Sequence, residues 1–299
     1  MMDIKKLNTE FGIEGEAVFI QPENNLIFLE ISNKYADAVI CLYGAHVTSF
    51  RPHDSKEILW MSPESYLEVG KPIRGGIPVC FPWFGPHKSD PEKPQHGFAR
   101  LMYWDVAEIV SKSGGETLIR LKLNASVQTK TYWPNDFNAE MTVVVGETLE
   151  LNLNVTNTSH ESFEYGCALH SYYNLSSIEN IAITGLQGAS YHSQLYPGEF
   201  IQESPKIEIK QAETRHFHDT EATCIINDPV FGRKIRVAKS GSKITTVWNP
   251  WAETCAKIDD LPDDGYLSFV CVEAVNAFDN MITLNSGESH TTSTVIGLE

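Results

Sequence analysis

A chain of 299 residues can bury a large core, and all-β architectures of about 200–250 residues form one unit, so a single domain over residues 1–299 is expected. Apolar residues make up 42% and charged residues 21%, and no apolar run is long enough to cross a bilayer as a helix, which excludes a helical membrane protein. Acidic residues outnumber Lys and Arg by 39 to 23, a net charge of −16 that repels polyanions, so nucleic acid is not an expected partner and any phosphorylated small molecule must be held by a few local arginines.

In chain order, the opening MMDIKKLNTEFGIEGE carries two lysines with no apolar segment behind them, unlike a secretory signal, and the six cysteines lack any C-x-x-C pair. Reduced thiols and a cytoplasmic location are therefore expected. Gly44 marks a bulge. The densest unusual string follows, RGGIPVCFPWFGPH from Arg74 to His87 and then QHGFAR from Gln95 to Arg100. Aromatic side chains on a Pro-rich loop beside Arg74, His96 and Arg100 suit a sugar site, because ring faces meet the apolar side of a pyranose and polar tips bind its hydroxyls. A packed loop with surface arginines would use the same composition.

Period-2 alternation then takes over: Ile119, Leu121, Leu123; Met141, Val143, Val145; Leu149, Leu151, Leu153, Val155; and shorter pieces at Ile181/Ile183, Ile207/Ile209 and Ile235/Val237. Turn signals at Ser113-Gly114-Gly115, Gly146-Glu147, Lys239–Ser242 and Ser286-Gly287 read as hairpin connections. No segment shows clear 3.6-residue periodicity with caps, and no Gly-rich phosphate loop follows a strand. The expectation is all-β, a large antiparallel β-sandwich.

Within this pattern, FEYGCALHSYYNL places His170 near a strand end among Tyr172, Tyr173 and Asn174. His216-Phe217-His218 has metal-like spacing but no clustered third ligand, so no metal is expected. Trp248-Asn249-Pro250-Trp251 ends another strand, where Trp248 can line a sugar site or cap a sheet. In LPDDGYLSFVCVEAVNAF, period-2 counting puts Glu273 on one face with Phe269, Cys271 and Val275. A core-facing carboxylate is costly unless paired or used, and burial raises its pKa toward the range of a general base. A buried ion pair with an arginine is the alternative.

Taken in order, RGGIPVCFPWFGP, QHGFAR, LHSYYN, VWNPW and DDGYLSFVCVEA resemble the aldose 1-epimerase superfamily, in particular its D-hexose-6-phosphate mutarotase branch, over nearly the whole chain. The resemblance implies a galactose mutarotase-like sandwich, an isomerase without a cofactor, His170 as general acid and Glu273 as general base. It places Arg74, His96 and Arg100 against the substrate. The family's Asp-Arg pair falls at Thr214-Arg215, so Arg215 is retained and the acidic neighbour is not.

Glu273 would then take the C1 hydroxyl proton while His170 protonates the ring oxygen, a nearby carboxylate favouring the charged imidazole, and the arginines would anchor the 6-phosphate. A monomer acting on a small hexose phosphate is expected. Two rivals share these residues: an epimerase of unphosphorylated aldoses, and a sugar-phosphate-binding protein without catalysis. A glycoside hydrolase would need a second strong carboxylate.

Overall fold

Alternating apolar and polar side chains commit one face of a strand to the core and the other to water. The computed structural model describes residues 3–22 and 26–299, and there Thr117–Asn124, Phe137–Val145 and Leu149–Asn157 pair antiparallel with every odd-numbered residue buried. They belong to a nine-stranded sheet ordered Lys206–Ile207, Ala182–Thr184, Cys224–Asp228, Arg233–Ser240, Ser289–Leu298, Leu149–Asn157, Phe137–Val145, Thr117–Asn124, Asp105–Ser111.

Facing it is an eight-stranded sheet ordered Glu199–Ile201, Ser190–Ser193, Glu213–Phe217, Ile244–Asn249, Phe269–Asn276, Cys167–Leu169, Val79–Cys80, with Tyr172–Asn174 also paired to Phe269–Asn276. Asn276 Nδ2 of this sheet donates to Thr292 Oγ1 of the other at 2.8 Å. A four-stranded sheet formed by Ala17–Ile20, Phe28–Ser32, Ala36–Cys41 and His46–Pro52 adds to the same apolar core, which runs from Leu7 to Ile296. The fold is the expected all-β sandwich of antiparallel sheets.

Two of the four anticipated hairpins close as such, at Ser113–Gly115 and Gly146-Glu147. The turn at Lys239–Ser242 instead carries the chain from the nine-stranded to the eight-stranded sheet, and Ser286-Gly287 leads from the two-stranded ribbon of Phe163–Tyr165 and Ile282–Leu284 into Ser289–Leu298. A turn signal gives the reversal but not the strand's next partner. Gly44 lies with φ +86° in the turn between Ala36–Cys41 and His46–Pro52, while the register shift falls at Val39/Ile40. Three short α-helices also form, at Ile4–Glu10, Val127–Tyr132 and Trp251–Cys255. With one or two turns each, they leave no periodicity to read. Local capping defines the first two: Asp3 accepts from the Lys5 N–H, and Ser126 and Thr129 close a capping box.

Phe269–Asn276 is buried at every position. Val270 and Val272 face the main core, Phe269 and Cys271 pack with Trp60, Tyr172, Cys255 and Leu261, and Val275 packs with Cys80, Ala168 and Ile244. The odd-numbered face therefore looks away from the neighbouring sheet, and Glu273 lies on it.

Candidate active site

Side chains of residues paired across an antiparallel ladder stand next to each other on one face. The pairings His192↔His216, His216↔Thr246 and Thr246↔Glu273 lay one such row across four strands. Two residues along, Thr214↔Trp248, Trp248↔Cys271 and Tyr172↔Cys271 lay a second. Cys167–Leu169 and Tyr172–Asn174 pair with Phe269–Asn276 in one unbroken register, which sets His170 opposite Glu273 at the gap between them. At that gap the His170 N–H donates to Pro78 O instead of the ladder. His170 Nδ1 stands 3.6 Å from Glu273 Oε1, and the His170 ring stacks on Tyr172 at 4.9 Å between centroids.

From these rows His216, Thr246, Glu273, Thr214, Trp248 and Tyr172 form the floor of a cavity of about 290 Å³, and the Pro-rich loop supplies its opposite wall with Arg74, Phe84, Gln95, His96 and Arg100. Glycine makes the wall possible. A Cβ at Gly97 (φ +75°) would lie 2.1 Å from Phe81 O, and one at Gly75 (φ +103°) 2.4 Å from Trp60 O, so each motif passes a neighbouring backbone at a distance no side chain allows. His96 is clamped to Gly85, whose O accepts from the His96 N–H at 2.7 Å and whose N–H donates to His96 Nδ1 at 3.1 Å. In the neutral ring, Nε2 therefore carries the proton. Arg74 donates through Nε to Asp260 Oδ1 at 3.0 Å and through Nη1 to the Tyr172 hydroxyl at 3.2 Å. Arg100 donates to Gln95 O at 2.8 Å, and its buried Nε has no partner among the described residues.

The sequence profile of the aldose 1-epimerase family matches residues 28–297. This chain belongs to that family. It is 32% identical over 254 residues to a Salmonella typhimurium protein provisionally named glucose-6-phosphate 1-epimerase, covering 85% of this chain and 84% of the other. A relative of the same provisional name from Cenchrus ciliaris is 30% identical, over 84% of this chain and 78% of its own. Among solved structures, a provisionally named mutarotase from Salmonella typhimurium superposes with a TM-score of 0.90 at 28% identity, over 99% of this chain and 98% of that one. The epimerase is thus an isomerase built on the mutarotase fold.

Of the residues expected in the site, His170, Glu273, Arg74, His96, Arg100 and Trp248 all line the one cavity. Arg215 does not. It falls between the two rows and so points to the other face of its strand, where its guanidinium pairs with Glu213 at 2.6 Å, donates to Gln202 at 3.0 Å and lies over the Tyr191 ring. Its neighbours Thr214 and His216 take the cavity positions. The H-x-H pair is divided between partners: His216 Nδ1 meets Thr246 Oγ1 at 2.8 Å, and His218 Nε2 meets His192 Nδ1 at 2.6 Å.

Electrostatics also correct one expectation about this epimerase. Burial, with Arg100 and Arg74 adding to it, pushes His170 down to about 3, so the nearby carboxylate does not hold the imidazole charged. Burial raises Glu273 well above the ordinary carboxylate range. Burial thus favours the uncharged form of both side chains. Asp260, the counter-ion of Arg74, was not singled out from sequence; it sits in DDLPDDG, four acids within six residues, where nothing local distinguishes the buried one.

Proposed function

We propose that this epimerase interconverts the α and β anomers of D-hexose 6-phosphates, with glucose 6-phosphate the preferred substrate. The observation that carries the reading is one cavity in which an opposed His170/Glu273 pair faces two guanidinium groups, only one of which has a carboxylate partner among the described residues. Arg74 is paired with Asp260, whereas Arg100 has no ion-pair partner among the described residues and offers a guanidinium that a phosphate dianion would satisfy. The provisional glucose-6-phosphate 1-epimerase names of the curated relatives support the same substrate class.

Ring opening needs one proton removed from the C1 hydroxyl and one delivered to the ring oxygen. Glu273 takes the first and His170 gives the second, and both reverse on closure. The neutral pair with its proton on Glu273 and the ionic pair with it on His170 hold the same number of protons, so binding can shift between them without exchange with solvent. Phosphate at the arginines offsets the positive field that depresses His170, which favours the acid form when the sugar arrives. Trp248 and Phe84 offer ring faces to the pyranose, and His96 Nε2–H a donor to its oxygens. On this reading residues 1–299 act as one domain, as a cytoplasmic monomer.

Magnetisation-transfer NMR of glucose 6-phosphate tests the assignment. The wild type should speed anomeric exchange over a protein-free control, and Glu273→Gln should lower kcat by about 10²–10⁴-fold. Acceleration of glucose but not of its 6-phosphate would reassign the substrate to free aldoses; phosphosugar binding without exchange would make the protein a binder.

A further inference from the structure

The mechanism leaves unused one buried nucleophile that lies next to the cavity without lining it. Cys271 stands two residues from Glu273 on the same face of Phe269–Asn276, and His170 lies opposite Glu273 in register. Three different donor types are thus gathered on one patch of sheet, with His170 nitrogen, Cys271 Sγ and a Glu273 oxygen all within 4.8 Å of one another. His170 Nδ1 and Glu273 Oε2 are buried and lack a hydrogen-bond partner among the described residues. An unpaired buried donor or acceptor is costly, and two of them stand here beside a thiol.

We propose that His170, Cys271 and Glu273 form an inhibitory binding site for a thiophilic divalent cation, with Zn²⁺ as the type case, that competes with the sugar. With metal–ligand bonds of about 2.0–2.3 Å, donor atoms of a tetrahedral site stand about 3.3–3.6 Å apart. The 3.6 Å between His170 Nδ1 and Glu273 Oε1 already meets this edge, and Cys271 Sγ must close by about 1.5 Å at most. A nitrogen, a thiolate and a carboxylate are the ligand set of a three-residue zinc site with its fourth position open toward the cavity.

Charge decides whether a dication can enter beside Arg74 and Arg100. When coordinating a dication, Cys271 serves as thiolate and Glu273 as carboxylate, their protons passing to solvent, and these two negative charges cancel the two positive ones, so the occupied cluster adds no net charge beside the arginines. The metal occupies the lone pairs through which His170 and Glu273 move protons, so catalysis stops while it is bound.

The competition with sugar rests on the mutarotase reading, whereas the site itself can be tested without it. Co²⁺ added to the purified protein in metal-free buffer should give thiolate-to-cobalt charge-transfer absorption in the near ultraviolet, displaced by Zn²⁺ and absent from Cys271→Ala. Zn²⁺ should slow glucose 6-phosphate exchange competitively, and Cys271→Ala, active without metal, should need at least about tenfold more, since even an outer partner of a metal ligand changes affinity by that much. Cys271→Ser serves in the same way should the alanine variant fold poorly. A charge-transfer band that persists in both variants, or no band in the wild type, overturns the site; equal Zn²⁺ sensitivity of wild type and variants overturns the inhibition. If no exchange is catalysed at all, the mutarotase reading fails and the cobalt spectra still decide the metal site.

Discussion

At the scale of single residues, Asp260 is the buried counter-charge of a guanidinium that lines the candidate site. Its carboxylate is the partner of Arg74, and both are largely withdrawn from water. Removing one member of a buried pair leaves the other uncompensated, at a cost of about 3 kcal/mol. Asp260→Asn should lose about that much unfolding free energy in urea, and glucose 6-phosphate should restore stability more to the variant than to the wild type, because phosphate takes the place of the lost carboxylate beside Arg74. Equal ligand-induced shifts in the two proteins would place the phosphate away from Arg74. Sequence made Arg74 legible through its motif but not Asp260, because pairing across 186 positions leaves no local trace.

At the scale of elements, the site is two rows of one sheet face closed by a loop, and the two parts differ in how they hold position. Ladder register fixes the rows: moving a strand by one residue would turn Glu273 or His216 into the main core. The loop wall depends on glycine. Gly97→Ala would force a Cβ onto Phe81 O at a φ of +75°, so the segment carrying His96 and Arg100 must retreat. We expect a loss of at least about 2 kcal/mol in stability, together with a raised KM for the phosphosugar in any protein that folds. Unchanged KM in a folded variant would show that the loop does not set the binding wall. The same parity argument accounts for Arg215. It was expected in the cavity by its place in a motif, yet adjacent strand residues face opposite ways, and His216 and Thr214 already occupy the cavity side.

For the whole molecule, the site is built at a cost that pH exposes. His46 and His216 are pushed down by burial to about 4, His170 to about 3, and His96 well below its ordinary value. In the unfolded chain each titrates near 6.5. Between that pH and the lower folded values the unfolded state binds more protons, so each histidine's contribution is complete above about 6.5 and is lost as pH falls, by up to about 1.4 kcal/mol per pH unit. The urea midpoint should therefore drop clearly from pH 7.5 to pH 5.5, before most carboxylates titrate; a midpoint constant over that interval would mean that these rings are not buried neutral. Sequence by itself determined the all-β class, the strands of the meander and the side of the strand on which Glu273 lies, because alternation with a period of two is a local property of the chain. Six of the seven residues that it singled out line one cavity. The tertiary structure alone decided that His170 stands opposite Glu273, that Asp260 pairs with Arg74, that Arg215 turns away, that two glycine turns change sheets, and that burial disfavours the charged form of His170. Each of these depends on which distant segments pair and on how much water they exclude, and neither quantity is written in the neighbouring residues.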